Sequence, residues 1–279
     1  MTPSEARSTI SIVLYNNEPS HLKQLIHSLL ECTVDIEVYF IDNSPGPNLA
    51  QHIPDRPFFH YEHQQKNNGY GNANNTVMQK RLAKGIYHLA MNADVYFDKG
   101  TLEAIVEYMD AQPEIGLMLP RVLNPDRTDQ PLFKLLPKPS DLIFRRFIPG
   151  FIKSAFKDSM GRYKMDFADV SQTFDAPYLS GCFMFMRKEA LRQTGLFDPR
   201  FFLYCEDVDL SRRIRTQWRT VYYGQTSIYH YFQKGSYKHP TLLRYHVVSA
   251  VKYFNKHGWF SDRERKRINQ ETLEAFTRK

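Results

Sequence analysis

The chain has 279 residues, of which 42% are hydrophobic and 24% are charged, as in an ordinary globular protein. Its cysteines, Cys32, Cys182 and Cys205, are odd in number and far apart, which argues against a disulfide framework and against a Cys-x-x-Cys zinc site. The first residues lack the apolar core of a signal peptide, and no run approaches the roughly 20 apolar residues of a membrane-spanning helix. We therefore expect a cytoplasmic protein.

The net charge is +7, and the cations are unevenly distributed. They gather at Arg145 and Arg146, at Lys153 and Lys157, and in the segment 263–267. Two kinds of partner fit such an excess. One is nucleic acid, and the other is an anionic membrane surface, near which each basic residue contributes on the order of 1 kcal/mol.

Strand and helix signals alternate through the first 120 residues. Apolar runs predict strands at 10–15, 36–41, 58–61, 87–91 and 115–119. Helical spacing of apolar residues predicts helices at 22–30, 72–84 and 101–111. This alternation is typical of an α/β domain with a largely parallel, doubly covered sheet and right-handed crossovers.

Polar residues follow each of the first four predicted strands. They are Asn16, Asp42, Asn68 with Gly69, and Asn92 with Asp94. Because ligands of open α/β sheets bind at the carboxyl ends of the strands, this pattern indicates a nucleotide-sized site. Asp94 could provide the hard oxygen ligand of a divalent cation, or it could cap a helix or turn. Asp42 could accept a hydrogen bond from a pyrimidine or ribose, or it could form an Asx turn.

Two glycine-containing segments resemble other nucleotide motifs only superficially. The segment 68–75 is rich in Gly and Asn but lacks Gly-x-Gly-x-x-Gly after the first strand, so it does not indicate NAD. Lys99-Gly100-Thr101 lacks the upstream glycines of a phosphate-binding P-loop. We therefore expect neither kind of site.

The alternation breaks between about residues 120 and 177. This region mixes bulky apolar residues with cations, which fits short amphipathic helices that form a lid or contact a membrane, or a helical pair packed on the domain. A long helix is predicted at 241–259, leading into the basic segment 263–267. We expect a catalytic domain at 1–236 and an amphipathic, basic helical segment at 237–279.

The strongest chemical signal is the acidic cluster Glu206, Asp207 and Asp209. Three carboxylates within four positions repel one another, so the arrangement favours a site that takes up a proton or meets a cation. On a helix, Glu206 and Asp209 share a face while Asp207 points elsewhere. The structural alternative is a helix start neutralised by Arg212 and Arg213.

Two further positions could join this site. Gly181, after Ser180, would let a substrate approach the backbone closely; the structural alternative is a plain turn into a strand. His230 follows the predicted strand 227–229 and could lie near the acidic cluster.

Together these segments resemble the inverting nucleotide-sugar glycosyltransferases of family 2, which have the GT-A fold. The matching segments are 11–16, 41–44, 67–75, 92–95, 179–184, 206–210 and His230. The tail at 249–259 is similar to the rhamnosyltransferase branch, which builds bacterial surface polysaccharides such as O-antigen. The resemblance implies a mostly parallel central sheet flanked by helices, with a C-terminal helical appendage.

The resemblance also implies roles for individual residues. Asp42 would hold the pyrimidine, and Asn68 would help to position the nucleotide. Asp94, in the place of the family's Asp-x-Asp motif, and His230 would bind Mg²⁺ or Mn²⁺ at the diphosphate. Asn92 stands where many relatives have the first Asp of that motif, which removes one negative charge from the site.

On the acceptor side, Asp207 would be the base that deprotonates the attacking hydroxyl, which is worth roughly 10²–10⁴ in rate. Glu206 and Asp209 would orient the acceptor, the helix start or nearby arginines, and Ser180 and Gly181 would lie beside the acceptor. Asn16, Gly69 and Asn92, at the ends of their strands, are also expected to contact the nucleotide.

We therefore expect a cytoplasmic enzyme, peripheral at the inner face of the cell membrane, that transfers L-rhamnose from dTDP-L-rhamnose to a lipid-linked glycan. A galactofuranosyl- or hexosyltransferase that uses a UDP-sugar is the alternative within this class. A basic nucleic-acid-binding protein is disfavoured because the cations are scattered around amphipathic segments. A catalytically inactive relative stays open because of Asn92.

Overall fold

The computed structural model describes residues 7–144, 157–231 and 239–277. Its strands are β1 (Ser8–Leu14), β2 (Ile36–Asp42), β3 (Phe59–His63), β4 (Tyr87–Asn92), β5 (Val95–Tyr96), β6 (Ile115–Leu123), β7 (Phe133–Lys134), β8 (Phe174–Asp175), β9 (Tyr178–Leu179), β10 (Phe183–Arg187) and β11 (Arg219–His230). Its helices are α1 (Pro19–Leu30), α2 (Tyr70–Arg81), α3 (Thr101–Ala111), α4 (Lys157–Lys164), α5 (Lys188–Thr194), α6 (Glu206–Arg215), α7 (Pro240–His257) and α8 (Arg263–Thr277). Short helical turns lie at Ala50–His52 and Ser140–Phe144.

One mixed sheet forms the centre of the molecule. Its strand order is β3-β2-β1-β4-β10-β6-β11-β5, with β8 paired to β11 outside this path. Strands β3, β2, β1 and β4 are parallel, as are β6 and β11, whereas β10 runs antiparallel to both β4 and β6. The carboxyl ends of β1, β2 and β4 therefore meet at one edge, where a ligand is expected.

The apolar pattern of the sequence accounts for the elements on this half of the sheet. Helix α1 begins at Pro19 and buries Leu22, Leu25 and Leu29 against the core, and each fully buried leucine contributes on the order of 2 kcal/mol. Helix α3 has the predicted bounds. Strand β6 runs beyond residue 119 to Leu123, because its second half pairs with β11.

The region from 120 to 177 contains little regular structure among its described residues. After β6 come the two-residue strand β7, the turn at Ser140–Phe144, helix α4 and strand β8. The backbone N–H of Leu135 donates to Tyr163 O at 3.0 Å, which ties α4 to the segment after β7. The predicted cations at 145, 146 and 153 lie outside the described residues, and so does the predicted boundary at residue 236.

The C-terminal helices pack on the domain through their own apolar cluster. Tyr253 and Phe254 of α7 and Ile268 of α8 are buried in one cluster with Phe201, which precedes α6, and Val208, in the first turn of α6. A buried ion pair joins the same elements, since the Arg212 guanidinium lies 2.6 Å from Asp262. Among the described helices, none combines the length and the apolar character that crossing a bilayer requires.

Candidate active site

A cavity of about 490 Å³ opens at the carboxyl edge of the parallel strands. The strand ends and the loop before α2 line one side of it, and the beginning of α7 lines the other. The polar side chains in its wall include Tyr15, Asn17, Asn43, Asn67, Asn92 and Asp94. The cavity therefore lies where the strand-end pattern predicts a nucleotide-sized site.

A carboxylate and an imidazole meet at this edge. Asp94 follows β4, and His230 is the last residue of β11; Asp94 Oδ1 lies 3.5 Å from His230 Nε2. The other ring nitrogen, Nδ1, lies 3.2 Å from Gln130 Oε1. Because the Gln130 amide nitrogen donates to His230 O, Oε1 is the atom that faces Nδ1, so Nδ1 carries the proton.

This pair has the character of a cation site. With Nδ1 donating to Gln130, a neutral His230 would present the lone pair of Nε2 toward the Asp94 carboxylate, and the two atoms could hold a cation between them. Gln130 holds the ring by its far side, as residues behind a metal ligand commonly do. Within the described residues, no cluster of three or more His, Cys, Asp or Glu side chains surrounds the position.

The loop before α2 is held against the turn before α6. Gly69 has a φ of +87°, and a Cβ there would lie 2.1 Å from Phe202 O, so only glycine fits. The next residue, Tyr70, donates its backbone N–H to Phe202 O at 3.0 Å. The side chain of Tyr70 donates to Gly181 O at 2.8 Å. Tyr70 thus connects the cavity to the turn that carries Gly181.

Asp207 lies at the first turn of α6, beside Gly181. Its Oδ2 accepts hydrogen bonds from the backbone N–H of Gly181 at 3.0 Å and from the Tyr178 hydroxyl at 3.1 Å. Its Oδ1 accepts from the N–H of Val208 at 2.8 Å. Loss of solvent raises the pKa of the Asp207 carboxyl, and these hydrogen bonds offset only part of the effect. A carboxylate with a raised pKa is suited to take a proton near neutral pH.

The turn directly before α6, which positions the Asp207 carboxylate, has a strained backbone. Tyr204 and Cys205, directly before α6, both have positive φ values, of 68° and 66°, which side chains other than glycine rarely adopt. Such strain costs of order 1–3 kcal/mol for each residue and is commonly stored at functional sites. The buried cluster formed with α7 and α8 holds the turn in place.

The cavity edge and Asp207 lie close to each other. Burial is the main reason that the pKa of the Cys182 thiol rises to about 12, and the carboxylates of Asp94 and Asp207 both add to the rise. The backbone of Cys182 also accepts the N–H of Asn92 at 2.9 Å. Asp94 and Asp207 therefore both lie near Cys182, the residue after Gly181.

Glu206 is buried, and its Oε2 has no hydrogen-bond partner among the described residues. Burial and the neighbouring Asp207 raise the pKa of Glu206 well above its ordinary value. Burial therefore favours the neutral form of this carboxyl. Glu206 packs beside Gly71 of α2 and does not line the cavity, and its predicted acceptor contact stays a prediction.

Asp209 points away from the cavity into a cluster of cations. It accepts from His257 at 2.7 Å, lies 2.6 Å from Lys256 Nζ and lies 2.9 Å from Arg213. Burial raises its pKa, but the partners, with His257 first, outweigh burial and lower it. In this structure Asp209 therefore fits the predicted role of orienting nearby arginines better than that of contacting an acceptor.

The remaining predicted residues differ in their access to the cavity. Asp42 is fully buried and forms an Asx turn, with Oδ1 accepting from the N–H of Ser44 and Oδ2 from the Tyr61 hydroxyl.

Asn16 is exposed with a φ of +49°, and Asn68 lines a second cavity, of about 550 Å³, beside the first. Ser180 is half-buried, and its hydroxyl accepts from the N–H of Cys182. The roles of these residues stay predictions.

The sequence profile described as Glycosyl transferase family 2 matches residues 9–195, which is more than half of the chain. The chain belongs to glycosyl transferase family 2. This family 2 enzyme is 25% identical over 269 residues to the N-acetylglucosaminyl-diphospho-decaprenol L-rhamnosyltransferase of Mycobacterium tuberculosis, in two strains. The match covers 89% of this chain and 84% of the relative.

Solved structures place the fold of this family 2 glycosyltransferase among GT-A enzymes. GalNAc-T7, solved with UDP, GalNAc and Mn²⁺, gives a TM-score of 0.59 at 15% identity, covering 82% of this chain and 44% of that chain. The mannosyltransferase PcManGT from Pyrobaculum calidifontis, solved with GDP-Man and Mn²⁺, gives a TM-score of 0.57 at 14% identity, covering 99% of this chain and 76% of that chain. The expected fold, family and glycosyltransferase class are confirmed.

Three residues at the site of this glycosyltransferase were not predicted from the sequence. Tyr178 and Tyr70 bond to Asp207 and Gly181, and Gln130 bonds to His230. No spacing in the sequence connects them to the motifs, because 100 residues separate Gln130 from His230 and 111 separate Tyr70 from Gly181.

Proposed function

We propose that this glycosyltransferase moves L-rhamnose from dTDP-L-rhamnose to a lipid-linked diphosphate glycan, with inversion at the anomeric carbon. The M. tuberculosis relatives are named as rhamnosyltransferases acting on N-acetylglucosaminyl-diphospho-decaprenol, and the match extends over most of both chains. The chain's cavity has room for a nucleotide sugar at the parallel strand ends.

The observation that carries this proposal is the setting of Asp207. Its carboxylate is held by Gly181 and Tyr178, and it shares Cys182 as a neighbour with Asp94 at the cavity edge. An acceptor hydroxyl on this side would pass its proton to Asp207 while its oxygen forms a bond to the anomeric carbon. The bond from that carbon to the diphosphate breaks on the opposite face, and the pair of electrons leaves with the diphosphate.

Asp94 and His230 would hold Mg²⁺ or Mn²⁺, which would neutralise the charge that develops on the leaving diphosphate. Asn92 contributes a neutral side chain to the cavity wall, so the chain's own negative charge at this position comes from Asp94. Gly69 and Asn92 contact the donor in this proposal, and Gly181 and Ser180 face the acceptor.

A membrane location follows from the proposed acceptor. A lipid-linked glycan lies in the bilayer, so the enzyme would bind at its inner face from the cytoplasm. The first two turns of helix α8 contain Arg263, Lys266 and Arg267, and cations of this kind attract anionic lipid.

A panel of nucleotide sugars tests the donor. The purified chain is titrated with dTDP-L-rhamnose, UDP-galactose, UDP-galactofuranose and GDP-mannose, with Mn²⁺ and with a chelator, and thermal stabilisation and hydrolysis are measured. We expect the largest response to dTDP-L-rhamnose. A response confined to UDP-sugars would replace rhamnose with a hexose or galactofuranose, and stabilisation without any turnover onto lipid-linked acceptors would favour a catalytically inactive relative.

A further inference from the structure

Asn43, the first residue after β2, forms part of the wall between two cavities. It lines both the cavity of about 490 Å³ that contains Asp94 and the neighbouring one of about 550 Å³. Its side chain is only 3% exposed. A polar side chain buried to this degree normally has hydrogen bonds for both its oxygen and its nitrogen.

The neighbouring hydrogen bonds determine which way the Asn43 amide faces. The backbone N–H of Gly69 can only donate, and it donates to Asn67 Oδ1 at 2.9 Å. Asn43 Nδ2 donates to the same oxygen at 3.2 Å. The nitrogen of Asn43 is therefore committed to Asn67, and its oxygen faces the other way.

Asn43 Oδ1 is a buried acceptor that has no hydrogen-bond partner within the described part of the chain. Leaving such an atom unpaired costs about 1–3 kcal/mol, whereas a ligand that donates to it recovers the interaction. The neighbouring Asp42 differs, because it lines neither cavity, is fully buried and has its two oxygens bonded to Ser44 and Tyr61. Asn43 is thus the better placed of the two to contact a base.

We propose that Asn43 Oδ1 accepts the imide N3–H of the donor's pyrimidine and thereby selects thymine and uracil over cytosine. This inference rests on the proposed nucleotide-sugar transferase function. Thymine and uracil present an N–H at position 3, whereas cytosine presents a lone pair there, which would face the lone pair of Oδ1. A site built to accept a hydrogen bond rejects a ligand that lacks the donor.

The test compares the affinities of dTDP, UDP and CDP for the full chain and for Asn43→Leu, by calorimetry with Mn²⁺ present. Leucine keeps nearly the same volume but can neither accept nor donate a hydrogen bond. We expect the wild-type chain to bind dTDP and UDP at least about tenfold more tightly than CDP, as one hydrogen bond predicts. In Asn43→Leu the affinity for dTDP and UDP should fall about tenfold, and the preference over CDP should disappear.

Asn48→Leu is the matched control, because it makes the same change in the same loop at an exposed residue that lines neither cavity. It should keep the wild-type preference. With dTDP-L-rhamnose as donor, Asn43→Leu should raise the donor KM while kcat stays within about twofold, since Asp207 is untouched. A merely structural role of Asn43 would lower kcat and the melting temperature instead.

Two other results would overturn the inference in different ways. If Asn43→Leu keeps the preference for UDP over CDP while Asp42→Asn removes it, Asp42 reads the base and the assignment to Asn43 is wrong. If the wild-type chain binds none of the three diphosphates, the proposed function fails, and the inference fails with it.

Discussion

The backbone N–H of Gly181 donates to Asp207 Oδ2 at 3.0 Å, and the two residues lie so close that a Cβ at position 181 would stand 3.2 Å from Asp207 Cβ. The turn before β10 and the first turn of α6 are therefore fitted to each other through one residue without a side chain. The same turn accepts the hydroxyl of Tyr70 from the cavity side. The position of the proposed base thus depends on elements from three parts of the chain.

Replacing Gly181 with alanine should lower kcat about tenfold while donor affinity stays unchanged. The added methyl group would have to displace the Asp207 side chain by a few tenths of an ångström, and small misplacements of a reacting group are costly. Gly46→Ala is the control, because its Cβ would meet nothing closer than 3.9 Å. Equal kcat values in both variants would show that the contact with Gly181 does not set the position of Asp207.

The pH dependence of kcat/KM should show an acid limb that belongs to Asp207. A base must be ionised, so activity falls as the pH drops through the raised pKa of this carboxyl, at a pH above that of an ordinary aspartate. The hydroxyl of Tyr178 favours the ionised form, and Tyr178→Phe should therefore move the limb to higher pH. A shift to lower pH, or none, would contradict this relationship.

Asp207→Asn removes the proposed base and should abolish transfer while leaving donor binding within about twofold, because the carboxylate is not in the wall of the cavity that contains Asp94. Turnover is measured with a lipid-linked acceptor, and binding is measured with dTDP. Retained turnover at more than about 1% of wild type would require another base, given the 10²–10⁴ that such a group contributes.

Glu206→Gln should preserve the fold and alter the way stability depends on pH. Burial and the charge of Asp207 favour the protonated carboxyl of Glu206 in the folded chain, because they raise its pKa above the unfolded value. The stability that this proton provides is complete below the unfolded pKa and is lost as pH rises through the folded pKa. Glutamine resembles the neutral acid and cannot ionise. The free energy of unfolding of the variant should therefore fall less than that of wild type as the pH rises.

Urea unfolding between pH 4 and pH 9 measures this effect. The exposed Glu62→Gln variant is the control and should follow the wild-type curve. A Glu206→Gln variant that is much less stable than wild type at pH 8 would mean that the carboxyl is ionised and paired in the folded chain.

Much of the fold could be predicted because its signals are local. Strand β2 and helix α3 follow from apolar runs and helical spacing, and the alternation of strands and helices orders the first half of the sheet. The place of β10 could not be predicted in this way. It lies antiparallel between β4 and β6, and this pairing depends on contacts between residues about 70 to 100 positions apart.

The site could be predicted only to the level of the sheet edge. The strand ends predict Asp94 at that edge and the resemblance predicts His230 beside it, but a shift of one residue changes which side chain faces a cavity. Asp42 and Asn43 illustrate this, since the carboxylate of Asp42 accepts a hydrogen bond from Tyr61 whereas Asn43 lines the cavity. The partner of Asp42 lies on the neighbouring strand, so no local pattern reveals it.

Replacement of Asp94 and of His230 tests the proposed cation site. Asp94→Asn and His230→Ala should each weaken Mn²⁺ binding in the presence of dTDP, and the double variant should lose little more than either one, because both would act on one ion. Mn²⁺ binding can be measured by electron paramagnetic resonance. Additive losses would place the two residues at different sites.

Gln130→Leu should have a smaller effect of the same kind. Its Oε1 accepts from Nδ1 of His230, which fixes the ring with Nε2 toward Asp94, and loss of such support costs about 10–100-fold in metal affinity. Gln225→Leu makes the matched change at an exposed position of the same strand, β11, and should leave Mn²⁺ affinity unchanged. If dTDP binds the wild-type chain equally well with Mn²⁺ and with a chelator, the cation site is wrong. Asp94 and His230 would then be hydrogen-bonding partners of the donor, and Mn²⁺ should not change the affinity of the Gln130→Leu variant for dTDP.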